Sequence, residues 1–404
     1  MSNLHDLIAQ RFPEQVRFLA ELIKVPSDNP PGDCQPHADR STELLEGLGL
    51  KVERHRVPDQ LVRAHGMKTV TNLVVRHTFG PGPTIALNAH GDVVPPGEGW
   101  SRDPFGAEIV DGWMYGRGVA VSKSDFTTYA FALDALKRSN AALKGTVELH
   151  LTYDEEAGGE IGPGWLLAEG ITKPDLAIGA GFSYSVVTAH NGCLHLEIEA
   201  RGRSAHAARP STGVDALEVA TDIMSAIYAY RSMLAARVSA VPGIGSPQVT
   251  VGLIKGGINT NVVPDRITFR LDRRMIPEEA PEAVEAELRA LISGAARRHP
   301  DATVDVRRIL LAQPLTELPG GKRMTDILCR HASRIMGEPI RAGGVPLYTD
   351  ARHYSERGIP IVLYGAGPHS IEEANAHRAD ERLRLTDLQK ATEVIAETLR
   401  ELLG

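Results

Sequence analysis

The feature that most limits the possible folds is an alternation of short apolar runs with helical stretches. It breaks off near residue 186 and resumes near 313. Runs at 70–76, 83–89, 145–152 and 175–179 read as strands, and stretches at 36–47, 124–138 and 163–169 as helices. Such alternation predicts an α/β fold with a mostly parallel central sheet. Ahead of it, Leu4, Leu7, Ile8, Phe12, Phe18, Leu19, Leu22 and Ile23 mark a helix over 3–24, read as interrupted near Pro13. It ends at Val25-Pro26, because the residue before proline is pushed out of the helical region.

Between the two stretches the texture changes. Residues 194–201 (LHLEIEAR) alternate with period two, as a half-exposed antiparallel strand should. A helix at 213–232, strands at 247–254 and 266–274, a helix at 279–297 and a strand at 303–310 complete a β-α-β-β-α-β order, the ferredoxin-like pattern. A helix at 322–336 and a buried strand at 359–364 return to α/β character. The expected organisation is an α/β domain of residues 1–186 and 313–404, interrupted by an inserted α+β domain of residues 187–312.

Composition narrows the function. Lys and Arg total 44 against 51 Asp and Glu, a formal charge of −7, so no face-wide basic excess exists for nucleic acid or an anionic membrane surface. Cys34, Cys193 and Cys329 lie far apart with no C-x-x-C pair, which argues against a disulfide framework and a thiolate zinc site and fits a reducing cytoplasm. Met1 to Phe12 has no apolar core of a signal peptide, and no run approaches 18 uninterrupted apolar residues. A cytoplasmic protein is expected, and any metal should be held by nitrogen and oxygen.

Chemistry-bearing residues gather at strand ends, where open α/β sheets collect functional groups. Asn88-Ala89-His90-Gly91-Asp92 follows one strand, and a His two residues from an Asp suits a metal-bound imidazole oriented by a carboxylate. Tyr153-Asp154-Glu155-Glu156 follows another; adjacent carboxylates in a turn diverge, so one can bind metal while its neighbour takes a proton from water. A third group holds His369, His377, Asp380 and Glu381. Each alone reads as an ordinary loop His or a helix-start acid; three together do not.

These segments, H-G-D-V-V-P at 90–95, D-E-E-x-G-G at 154–159, RGRSAHAARP at 201–210, N-V-V-P at 261–264 and A-H-x-x-D-E at 376–381, occur in one order over nearly the whole chain. In that it resembles the co-catalytic metallohydrolase family of acetylornithine deacetylase, succinyl-diaminopimelate desuccinylase, aminoacylase and glutamate carboxypeptidase. The resemblance implies a zinc-dependent catalytic domain and a lid domain through which the protein forms a homodimer. It implies His90 as ligand of one metal, Glu156 and His377 as ligands of the other, Glu155 as general base, and Asp92 as the group orienting His90. In the lid it implies His206 as oxyanion donor to the partner's site, Asn261 as a substrate contact and Arg274 as a fork for a substrate carboxylate, with Arg273 and Arg352 as further candidates.

The chain departs from the family at two positions. Gly116-Arg117-Gly118 through Lys123 aligns with a motif whose bridging aspartate is here Val121, and Gly179-Ala180-Gly181-Phe182 stands where an acidic ligand is expected. Three arrangements are open: a single ion held by His90, Glu156 and His377; a ligand supplied by Asp125, about one helical turn after Val121, or by His369; or a fold that binds a small molecule without turning it over. Retention of Glu155, Asp92, His206 and Asn261 favours a working hydrolase of a C–N bond in a small carboxylate-bearing substrate. Zinc, manganese, cobalt and iron all suit two His and a carboxylate.

Overall fold

The computed structural model describes residues 3–404; Met1 and Ser2, where the segment read as lacking a signal peptide begins, lie outside the described residues. The chain divides into two units. One takes the chain up to Thr188 with Glu317–Gly343 and Thr349–Gly404; the other is Ala189–Thr316 with Gly344–Tyr348.

The first unit is built on an eight-stranded sheet in the order Val52–Arg56, Thr71–Gly80, Gly145–Thr152, Thr84–His90, Leu176–Gly179, Ile361–Leu363, Val186–His190, Ala342–Val345. The four central strands run parallel, and antiparallel pairs flank them. Parallel strands are covered on both faces, so both faces are buried: Ile85, Ala86 and Leu87 are fully buried in succession, while in Gly145–Thr152 the buried Val147, Leu149 and Leu151 alternate with Glu148 and His150, polar but buried as well. The register pairs His90 with Thr152 and Asn88 with Gly179. Three strands therefore end at one edge, and the loops after them emerge together.

Helix Leu4–Ile23 runs unbroken through Pro13, correcting the expected interruption. A proline inside a helix costs about 3 kcal/mol. Here Leu4, Ile8, Phe18, Leu19, Leu22 and Ile23 are buried against Lys123–Arg138 and Leu385–Leu403, and each fully buried large side chain contributes about 1.5–3 kcal/mol. Packing outweighs the local defect.

The second unit has the β-α-β-β-α-β order: Gly192–Arg201, Ala216–Leu234, Gln248–Gly256, Arg266–Met275, Pro281–Ala296, Thr303–Ala312. Its antiparallel sheet is ordered Gln248–Gly256, Arg266–Met275, Gly192–Arg201, Thr303–Ala312. The period-two row Leu194, Leu196, Ile198 and Ala200 faces a core with Val219, Ile223, Leu288 and Ile292. On the other face Glu197 pairs with Arg270 and Arg307. Among the described residues no helix is long and apolar enough to cross a membrane.

Within the central sheet, Glu148 is buried and accepts from Arg76 Nε at 2.7 Å and Thr172 Oγ1 at 2.5 Å, with His150 Nε2 at 2.9 Å. Burial opposes its ionisation, but His150, Thr172 and Arg76 together outweigh it and hold the carboxyl down at about 2. A carboxyl depressed in the fold stabilises it above the unfolded value, near 4.3, and loses that contribution as pH falls toward 2. Urea unfolding of wild type and Glu148→Gln should therefore differ by roughly 3 kcal/mol at pH 6, and the difference should shrink from about pH 4 and close only near pH 2. A constant difference across that window would refute the assignment.

Candidate active site

His90 closes its strand, is buried, and is held at both ends. Its N–H donates to Ser122 Oγ and its carbonyl accepts from the same hydroxyl, both at 3.0 Å. Ring Nδ1 lies 3.0 Å from the Asp92 carbonyl and 3.5 Å from the Asp92 carboxylate. In the neutral ring, with Nδ1–H donated there, Nε2 carries the lone pair. Asp92 thus orients His90 chiefly through its main chain. Its buried carboxylate organises the acidic turn instead, accepting from the N–H groups of Glu155 at 3.2 Å and Glu156 at 3.1 Å, and from Asn29 Nδ2 at 3.1 Å.

Glu155–Ala157 form one short 3-10 turn directly after the strand Gly145–Thr152. His90, Glu155 and Glu156 each offer a ligand atom, and these lie within 4.8 Å of one another. Negative charge is crowded here. Burial, then Glu156, Asp92 and Asp154, push Glu155 up to about 8 against the pull of His90. His90 is held well above its ordinary value despite burial, by its bond to Asp92 and the charges of Glu155 and Glu156. Asp350 is buried near them with neither carboxylate oxygen hydrogen-bonded, and burial and Glu155 hold it well above the carboxylate range. A pocket of nitrogen and oxygen donors, an acidic excess and an orphaned carboxylate is what a divalent cation balances.

His377, in a left-handed conformation (φ 60°), brings Nε2 to 3.4 Å from Glu156 Oε1, and that contact raises its pKa. It joins Glu156 but stands outside the tight His90–Glu155–Glu156 group.

Asp125 is not placed as a ligand, contrary to the tentative expectation. It is buried, with Oδ1 accepting from Ala366 N–H at 2.8 Å and Oδ2 from Gly181 N–H at 3.3 Å, so it ties two strand-end loops together. Gly365 is required beside it, since a Cβ would collide with that carboxylate. His369 stacks on Tyr184 with its ring nitrogens on Glu373 and Glu338. Val121 packs with Ala120, Phe182, Ala374 and Ala376, an apolar cluster where the resemblance implies a bridging carboxylate. Arg352 is not offered to a substrate either: buried, it donates to Gly158 O at 2.6 Å and Glu160 at 2.9 Å, bracing the acidic turn.

Sequence reasoning misses three supports. Asp350 stands two residues before Arg352, Ser122 directly after Val121, and Arg117 matches a motif that does not name its partner. Arg117 pairs with Glu381 at 2.6 Å, both 1% exposed, and Glu381 also accepts from Ala120 N–H at 3.0 Å. This buried pair ties the Val121 segment to the loop that carries His377.

In the second unit, the segments of His206 and Asn261 meet at an antiparallel bridge between His206 and Val262, where Ala207 N–H donates to Asn261 O at 3.0 Å. Ala208 N–H donates to His206 Nδ1 at 3.1 Å, which leaves the neutral ring as the Nε2–H donor on an exposed loop. Arg274 grips Asp272 through Nε at 2.8 Å and Nη2 at 3.1 Å. Arg273 is fully buried on Glu279, so it serves the interior and not a substrate.

A family model described as peptidase family M20/M25/M40 matches residues 86–401. A succinyl-diaminopimelate desuccinylase of Wolinella succinogenes is 27% identical over 403 residues, covering 96% of this chain and 99% of that one. Another from Gluconacetobacter diazotrophicus is 28% identical over 398 residues, covering 95% and 96%. Among solved structures, an M20 family metallo-carboxypeptidase of Sulfolobus solfataricus superposes with a TM-score of 0.78 at 18% identity, covering 96% and 98%. A dinuclear metal-binding M20 peptidase of Bacillus subtilis gives 0.72 at 18%, covering 98% and 99%. At such identities the likeness is one of fold: a large mixed sheet with a separate antiparallel sheet.

Removing one member of a buried ion pair strands the other charge, at a cost of about 3–5 kcal/mol. Arg117→Met should lower unfolding free energy by that order in urea titrations, and Arg117→Met with Glu381→Gln should recover part of it. Equal losses in single and double variants would show that the pair is not the linkage.

Proposed function

The chain belongs to peptidase family M20/M25/M40, and from that we propose a hydrolase of an amide-type C–N bond in a small carboxylate-bearing molecule. The observation that carries this is the convergence of His90, Glu155 and Glu156 in a pocket with more carboxylates than cations. Relatives named desuccinylase and fold neighbours named carboxypeptidase support the bond type.

His90, Glu156 and His377 would hold one divalent ion, zinc best suiting the set, with manganese, cobalt or iron sharing its ligand types. When bound, that ion would acidify a water and polarise the scissile carbonyl. Glu155 is the general base: with the pocket's charge balanced it returns toward the ionised form at neutral pH, takes the water proton and passes it to the leaving nitrogen. Asp92 keeps His90 in one tautomer and fixes the turn that aims Glu155. His206 Nε2–H, from the partner subunit of a homodimer, donates to the developing oxyanion. Asn261 and Arg274 receive the substrate, Arg274 exchanging part of its grip on Asp272 for the substrate carboxylate.

In this reading residues 1–186 and 313–404 form the catalytic domain of a cytoplasmic enzyme, and 187–312 the lid. Exposed Leu253 and Ile254 on the sheet's edge strand, with Ile258 beyond it, support pairing of two lids. The apolar cluster at Val121 and Phe182 favours one ion in this site over two. It equally favours a second reading, a dimer that binds a small molecule without cleaving it.

A panel of N-acyl amino acids and dipeptides, assayed with zinc, manganese or cobalt, separates the two. Glu155→Gln should cut kcat by about 100-fold or more with bound metal unchanged, whereas His90→Ala should lose about one equivalent relative to wild type. Full activity in Glu155→Gln removes the base assignment. No turnover with any ion supports the binding reading.

A further inference from the structure

The second unit brings three side chains of metal-binding type together on two neighbouring strands. Cys193 and His195 lie two residues apart on Gly192–Arg201 and so share a face. Asp272 sits directly opposite His195 in the ladder with Arg266–Met275. This face is the one turned away from the Leu194, Leu196 and Ile198 core. Cys193 Sγ is 3.2 Å from His195 Nε2, and Asp272 Oδ2 is 3.0 Å from that same nitrogen. All three ligand atoms fall within 4.8 Å of one another.

The shared nitrogen decides what the cluster is built for. A nucleophilic relay needs the thiol on one ring nitrogen and the carboxylate on the other, and here both meet Nε2. A single ring nitrogen has either one proton or one lone pair, so it cannot serve both as hydrogen-bond partner at full strength. Sulfur, nitrogen and oxygen converging on one point is the arrangement around an ion. Tetrahedral zinc, with bonds of about 2.3 Å to sulfur and about 2.0–2.2 Å to nitrogen and oxygen, sets its ligands roughly 3.3–3.6 Å apart, close to the spacings present. Arg274, bound to both Asp272 oxygens, acts as the outer partner that orients a ligating carboxylate. Cys193 is buried, while the His195 and Asp272 side chains are each 32% exposed, leaving one side open for entry and for a water.

We propose that Cys193, His195 and Asp272 form a metal site for one zinc-class divalent ion, with the fourth position open to solvent. Binding forms a metal–sulfur bond as the Cys193 S–H proton leaves to water; His195 supplies its Nε2 lone pair and Asp272 one carboxylate oxygen. The thiolate selects zinc or cobalt over magnesium and calcium.

The sulfur also supplies the test, because the proposed active site holds none. Cobalt(II) titrated into the metal-free full chain should raise a thiolate-to-cobalt charge-transfer band whose full height corresponds to about one thiolate-bound ion per chain, beside the ion taken by the proposed active site. The band should persist in His90→Ala and vanish in Cys193→Ser. His195→Ala keeps the sulfur and should bind cobalt at least about tenfold more weakly. No band in wild type, the same band in Cys193→Ser, or unchanged affinity in His195→Ala overturns the site. Should circular dichroism show Cys193→Ser unfolded, His195→Ala decides alone. Failure of the hydrolase reading would appear as absent turnover with this band intact.

Discussion

Everything at the candidate active site depends on the register of the central parallel strands. With His90 opposite Thr152 and Asn88 opposite Gly179, the chain reverses at three neighbouring points on one edge of the sheet. A slip of one residue would turn every strand side chain to the other face. Main-chain pairing therefore sets the position of His90 against the acidic turn before any side-chain chemistry acts.

That register creates an electrostatic arrangement which the fold itself leaves unbalanced. Asp92 ties down the turn by accepting from two of its N–H groups, yet Glu155, Asp154 and Asp350 remain together, with burial the largest influence on each carboxyl. The surrounding bracing is correspondingly strong: Arg352 on Gly158 and Glu160, Arg117 on Glu381, Asp125 on the N–H groups of Gly181 and Ala366. Each holds a loop at a strand end against like-charge repulsion.

Legibility from sequence tracks the range of the interaction. Helix Lys322–Met336 and strand Gly145–Thr152 have the bounds that local periodicity encodes. The helix through Pro13 escapes such reading, because its stability comes from contacts with helices more than 100 residues distant in sequence. Asp125 looks like a free carboxylate one turn from Val121; only the two loops folded over it reveal a brace. Arg352 looks like a substrate fork for the same reason. Cys193 and His195 carry a visible spacing of two, but Asp272 comes from 77 residues on, so cysteine counting passes over the cluster.

The sequence by itself determined the layered α/β unit, the inserted β-α-β-β-α-β unit and the membership of His90, Glu155, Glu156 and His377 in one set of strand-end motifs. Those rest on periodicity and on residue types at fixed short spacings. The tertiary structure decided which polar groups face a common space and which are already engaged. That choice rests on hydrogen bonds and ion pairs between segments hundreds of residues apart, such as Arg117 with Glu381 and Asp125 with Ala366, and no local pattern encodes a pairing across such distances.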